Sequence, residues 1–237
     1  MSTADDRPRR LAELLPILML ITDPLLVASR NQEEFLREAV RGGVNLIQVR
    51  EAPGKPMSDS ALQHFSDAAN DATFGTRARF IIHSNASIAG DRDAAGLHLR
   101  EADERSSQVE RRKLGEKRLL SRSVHSLKAA VEAERDGTDM LVLGTVFPSS
   151  SHPGGQTIGL DSVRAVCKAV SIPVIGIGGI TAQTAGDVIR AGASGVAVIS
   201  AIFDAEDPRA AAAALRDAID DAYGSSPPSL QGRGTGG

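Results

Sequence analysis

The sequence predicts a single-domain α/β fold, a (β/α)8 TIM barrel, from three observations. Eight short aliphatic runs recur along the chain, amphipathic stretches lie between most of them, and 237 residues suit one barrel domain. The runs are 17–23, 46–51, 79–84, 96–100, 119–124, 140–147, 173–179 and 195–200. Rich in Val, Ile and Leu and bounded by Gly, Asp, Ser or Pro, they read as parallel strands buried on both faces. Parallel strands need crossovers, and helical patterns supply them. Segment 31–41 opens on a cap-like Asn31 and stops at Gly42-Gly43. Segments 58–69, 126–136, 161–170, 181–191 and 207–223 are similar. Ser126, Asp161, Thr181 and Asp207 are expected N-caps, and Gly137 and Gly192 expected helix stops. The third crossover, between Ser84 and Gly96, is short and is expected to be one helical turn or irregular.

An open doubly wound sheet is the rival. Its dinucleotide fingerprint is missing, because the Gly176-Ile177-Gly178-Gly179 stretch lacks the third glycine at the required spacing. No Walker A frame precedes Gly54-Lys55. The expected organisation is an N-terminal extension over 1–16, a barrel over 17–223 and a disordered tail over 224–237. The tail, GSSPPSLQGRGTGG, has too few apolar residues to offset its ordering entropy.

Composition removes other classes. One cysteine cannot build a disulfide framework. A net charge of -3 offers no broad basic field and aromatics at 3% offer no stacking platform, so no nucleic-acid partner is expected. The mixed-charge start has no signal-peptide pattern, and the apolar run 17–28 carries Asp23 and Pro24 and is too short to span a bilayer. A cytoplasmic protein with no membrane partner is expected.

Barrel active sites lie at the carboxyl ends of the strands, and that rule selects candidates. Four of the five histidines, His83, His98, His125 and His152, fall on or just after strand ends. Gly178-Gly179 at the end of the seventh strand and Ile199-Ser200 at the end of the eighth read as a phosphate cradle. Glycine lets backbone N–H groups approach phosphate oxygens, and a helix start adds partial positive charge. The bland alternative is a tight strand-to-helix turn. The loop 147–156, with Ser149, Ser151 and His152, reads as a lid able to donate hydrogen bonds and supply an acid or base near neutral pH, or as an ordinary surface loop. Arg50 is an anion ligand or a structural partner of Glu51 or Asp23. His98, between Leu97 and Leu99, reads as a hydrogen-bonded barrel histidine, and Cys167 as core.

These strand-end residues carry a resemblance. From Ile17 to Tyr223 the chain resembles the thiamine phosphate synthase/TenI family of barrels. The segments that carry it are LITD (20–23), GGVNLIQVRE (42–51), AAGLHLREAD (94–103), SVHSLKAAVEAERDGTD (123–139), LGTVFPSSSHP (143–153), IPVIGIGGIT (172–181) and AGASGVAVISAIF (191–203). The resemblance implies a small phosphorylated thiazole substrate and a homo-oligomer. It places substrate or phosphate contacts at Gln48, Arg50, Ser123, Ser149, Ser151, Gly178, Gly179, Ile199 and Ser200. The synthase joins an aminopyrimidine diphosphate to a thiazole phosphate with Mg2+, for which Asp103 matches one metal carboxylate. Three positions depart from that pattern: Ala52 and His152 stand where the family has lysine, and Ser84 where it has the other metal aspartate.

All three departures remove charge that a diphosphate and its metal need, while the cradle is spared. The leading expectation is therefore a TenI-like thiazole tautomerase, which moves one proton and needs no cofactor. The branch's histidine position holds Thr145, so the acid–base role falls to His152, His125 or His83. Two alternatives stand beside it: the Mg2+-dependent synthase, and a non-catalytic or regulatory thiazole phosphate binder.

Overall fold

A computed structural model describes residues 11–22, 31–50, 58–85, 87, 89, 94–103, 106–115, 117–149 and 155–225. Eight parallel strands close into a barrel in sequence order, with β1 pairing both β2 and β8. They are β1 Ile17–Ile21, β2 Leu46–Val49, β3 Arg79–His83, β4 Gly96–Leu99, β5 Leu119–Val124, β6 Met140–Gly144, β7 Val174–Ile177 and β8 Gly195–Val198. Each falls inside one of the eight aliphatic runs. Between and after them stand α1 Gln32–Arg41, α2 Asp59–Thr73, α3 Ser107–Leu114, α4 Leu127–Arg135, α5 Gly159–Ala169, α6 Ala182–Arg190, α7 Ser200–Phe203 and α8 Pro208–Ser225.

Helix starts follow their caps. Asn31, Ser58 and Ser126 accept the backbone N–H groups of Glu34, Ala61 and Ala129, and Asp207 accepts that of Ala210. Asp161 does not cap. Ile158 and Gly159 donate to the Thr145 and Val146 carbonyls at 2.9 and 3.2 Å, so the loop is pinned to the end of β6 and α5 starts two residues earlier than expected. Asp161 sits instead in the first turn, where the helix dipole favours it, and pairs with Arg164 at 2.6 Å. In the third crossover, Ala89 donates to the Asn85 carbonyl at 3.1 Å, a bond of helical-turn spacing.

Helix α3 has no counterpart in the sequence reading, because polar contacts anchor it. Arg111 is buried and bonds the Arg118 and Gly137 carbonyls and, at 2.5 Å, Asp139. Asp136 accepts from the Ser106 hydroxyl and the Ser107 N–H at 2.8 and 2.6 Å.

Strand alternation divides the core in two. Outward side chains such as Leu18, Leu20, Ile47, Ile82, Leu97 and Leu141 pack against the helices. Inward ones, Ile17, Met19, Ile21, Leu46, Ile81, Leu119, Met140, Val142, Ile175 and Ala197, fill the barrel. Leu11 and Leu14, from the segment expected to be an extension, join this inner cluster and are buried. Asn45 Nδ2 fastens that segment by donating to the Leu14 and Pro16 carbonyls, and Arg216 also donates to Pro16. At the other end α8 continues through Gly224 and Ser225. The remainder of the expected tail lies outside the described residues.

Candidate active site

Stepping two residues up each strand from the inner apolar layer changes its chemistry on one side only. Leu46 leads to Gln48, Ile81 to His83, Gly96 to His98, and Leu119 to Ser121 and Ser123. On the other side Met140 leads to Val142 and Gly144, Ile175 to Ile177, and Gly195 to Ala197 and Ile199. The upper barrel is therefore polar over β2–β5 and apolar over β6–β8 and β1. It opens into a cleft of ≈ 1090 Å³ at the carboxyl ends of the strands.

The polar half is a connected belt. Gln48 Nε2 lies 3.0 Å from His83 Nδ1, and the His83 and His98 rings are 5.3 Å apart. His98 Nδ1 and Nε2 each lie 2.8 Å from a hydroxyl, of Ser121 and Ser123 respectively. Burial, reinforced by the neighbouring His83, holds His98 well below its ordinary value of 6.5, so the ring is neutral at pH 7. This is the barrel histidine expected from its Leu97 and Leu99 neighbours. Unfolding frees His98 to take a proton below pH 6.5, whereas the native ring takes it only at lower pH. Stability therefore falls as pH drops below 6.5, by at most about 1.4 kcal/mol per pH unit. Chemical denaturation between pH 7.5 and 5 is expected to show this slope and His98→Asn to flatten it; equal slopes would refute the assignment.

The cleft gathers Gln48, Arg50, His83, Ser123, His125, Ser149, Gly178, Gly179, Ile199 and Ser200. Ser200 ends no strand, because β8 stops at Val198 and Ser200 opens α7. Gly178 and Gly179 have φ of 104° and 61°, and their turn packs tightly on the loop after β6. Phe147 N–H donates to the Gly178 carbonyl at 3.0 Å, and Val146 N–H to Ile177 at 2.8 Å. The cradle and the base of the expected lid are thus one hydrogen-bonded unit. His152 and Ser151 lie outside the described residues.

His125 pairs through Nδ1 with Glu101, and both line the cleft. A carboxylate that orients an imidazole is an acid–base arrangement, and Glu101 was not selected from the sequence. Arg100, directly after β4, also lines the cleft. Cys167 lies away from the cleft; burial pushes its thiol up to about 12, which makes it inert.

Asp103 is the metal carboxylate expected in the synthase reading. It is not among the residues that line the cleft. Its carboxylate accepts from the Ser84 hydroxyl at 3.2 Å, the Arg100 N–H at 2.9 Å and the Arg100 guanidinium at 3.4 Å. Arg122 donates to its carbonyl. Among the described residues no group of three or more His, Cys, Asp or Glu side chains is placed to hold a metal ion. These residues do not fit a Mg2+ site built on two carboxylates, since the second position is the hydroxyl of Ser84.

A closed eight-stranded barrel with its chemistry at the carboxyl ends of the strands places the molecule in the (β/α)8-barrel class. The chain belongs to the thiamine monophosphate synthase family, whose model matches residues 18–202. A thiamine-phosphate synthase from Roseiflexus castenholzii is 38% identical over 202 residues, 85% of this chain and 87% of that one. One from Moorella thermoacetica is 38% identical over 208 residues, 87% of this chain and 97% of that one. The solved thiamine phosphate pyrophosphorylase from Pyrococcus furiosus superposes with a TM-score of 0.75 at 33% identity, covering 87% of this chain and 96% of that one. No helix among the described residues is long and apolar enough to cross a membrane.

Proposed function

We propose that this protein is a thiamine-phosphate synthase, joining an aminopyrimidine diphosphate to a thiazole phosphate with release of pyrophosphate. This reverses the order of the sequence-based readings, in which the tautomerase led. The observation that carries it is a cleft with two anion-receptive walls. In the closed order, β2–β4 stand across from β6–β8, with Arg50 at the end of β2 and Arg100 at the end of β4. Gly178, Gly179 and Ser200 line one wall, and Arg50 and Arg100 line the other. A condensation of two phosphorylated partners uses two such walls, whereas a tautomerisation of one phosphate uses one. The near full-length relatives named thiamine-phosphate synthase support the same reading.

In this reading the glycine turn and Ser200 hold the thiazole phosphate through backbone N–H groups and a hydroxyl. The pyrimidine rests over Gln48. Arg50 and Arg100 stabilise the charge that develops on the diphosphate as its C–O bond breaks. The thiazole nitrogen then forms the C–N bond. Ser123 and Ser149 orient the partners. Mg2+ supplies further charge neutralisation in the family, but the described residues do not build its site and no step here is assigned to it.

The tautomerase reading keeps one specific support, the His125–Glu101 pair in the cleft. One set of assays separates the two. With both substrates and Mg2+, purified protein is expected to release pyrophosphate, and Arg50→Ala to lower kcat/KM by about a hundredfold or more. Absence of pyrophosphate release at saturating Mg2+ sinks the synthase reading. Metal-independent conversion of the thiazole tautomer that His125→Ala abolishes would establish the other, and binding of thiazole phosphate with neither reaction would establish a binder.

A further inference from the structure

Gln48 sits on the floor of the cleft and is 1% exposed. Its two amide ends are treated differently. Nε2 is engaged by His83 Nδ1 at 3.0 Å. Oε1 is buried and, among the described residues, has no hydrogen-bond partner. Native folds rarely keep a buried carbonyl unpaired, and one beside a binding cleft is able to accept from a ligand there. An amide can turn over and exchange its ends, so something must decide which end faces the cleft.

We propose that His83 is a positioning residue: its Nδ1 accepts the Gln48 NH2 group, fixes the Gln48 carbonyl toward the cleft, and so selects a heterocycle that carries an N–H donor. The His83 ring is itself constrained. It is the β3 register partner of His98, and the rings lie 5.3 Å apart. Both His98 nitrogens are held by serine hydroxyls. The order is thus set from Ser121 and Ser123, through His98 and His83, to the amide of Gln48. Without His83 the amide could present either end, and a ligand with only acceptors would bind as well as one with an amine. The identity of that heterocycle as an aminopyrimidine rests on the proposed synthase reading. The role given to His83 differs from the acid–base role expected from its strand-end position.

The test is calorimetric titration with the aminopyrimidine diphosphate and with its methyl counterpart, in which a methyl group replaces the exocyclic amine. Wild-type protein is expected to prefer the amine by about tenfold or more. His83→Leu should reduce that preference to about twofold or less, with thiazole phosphate affinity unchanged. His83→Asn should retain most of it, because Asn Oδ1 can accept from the Gln48 amide. A purely structural histidine would lower both affinities together and leave their ratio intact. Full amine preference in His83→Leu, or none in the wild type, overturns the proposal. Should His83→Leu fail to fold, wild-type protein still decides it: nuclear Overhauser contacts should place the Gln48 amide protons beside the His83 ring, and contacts that place them elsewhere overturn it. The binding ratio needs no turnover, so a failed pyrophosphate assay sinks the synthase reading alone.

Discussion

Gly179→Ala is expected to weaken thiazole phosphate binding by about a hundredfold or more. The backbone at Gly179 has φ 61°, a left-handed conformation that costs a side chain about 1 kcal/mol even in open space. Here there is no space. A Cβ would stand 2.2 Å from the Pro148 carbonyl oxygen and 2.9 Å from Phe147 Cβ. These atoms belong to the loop that hydrogen-bonds to the same turn through Phe147 and Gly178. Relief requires the cradle and the loop to part, which moves the Gly179 N–H and Ser149 away from one ligand at once. Calorimetry with thiazole phosphate reads the loss. Gly75→Ala is the control: φ is 72° there, yet nothing lies within 4 Å of the added Cβ. It should lose about 1 kcal/mol of stability and no affinity. Wild-type affinity in Gly179→Ala would refute the cradle.

Gly96→Ala is expected to be among the most destabilising single substitutions, at about 3 kcal/mol or more. Gly96 opens β4 opposite Leu119 of β5, its register partner. A Cβ would lie 2.0 Å from the Leu119 carbonyl oxygen and 2.9 Å from Leu119 Cβ. The obstacle is backbone within a closed sheet, and neither strand can retreat without disturbing the pairing on its far side. With a total stability of about 5–15 kcal/mol, that loss is a large share. Thermal unfolding should drop by roughly 6–12 °C, using about 2–4 °C per kcal/mol for a chain of this size. An unchanged midpoint would show that the barrel floor is looser than these distances.

The strands were legible because barrel strands are buried on both faces, and that demand writes continuous aliphatic runs such as 140–144. Six helices were legible from their apolar periodicity and, in most, a cap that satisfies an orphan N–H. Helix α3 was not, since Glu110 and Arg111 are buried there by ion pairs and a hydrophobic pattern cannot register that. The end of β6 was read too far, to Phe147, because Val146 and Phe147 stay apolar past the strand end: their side chains pack on the outer core, while their N–H groups donate to Ile177 at the end of β7 and to Gly178. At the site, the strand-end rule and the resemblance together found Gln48, Arg50, His83, Ser123, His125, Gly178 and Gly179 without knowing which of them meet. Asp103 matched a motif, but that its carboxylate also accepts from Ser84 and Arg100 is a fact of space and not of spacing. The preference for a tautomerase came from counting lost charges one position at a time. Arg100, in a wall facing the cradle, enters that count only after the barrel closes.

By itself the sequence determined the architecture and the family: eight doubly buried runs, the crossovers between them, and a chemistry confined to their carboxyl ends. Local patterns encode burial and turn geometry, which are properties of short segments. The tertiary structure alone decided the belt from Gln48 through His83 and His98 to Ser121 and Ser123. Those residues come from four strands, spread over 76 positions from Gln48 to Ser123. Their contacts of 2.8–3.0 Å depend on the register of each strand pair. Register is fixed only when all eight strands close together, since a slip of one residue would turn every inward side chain outward.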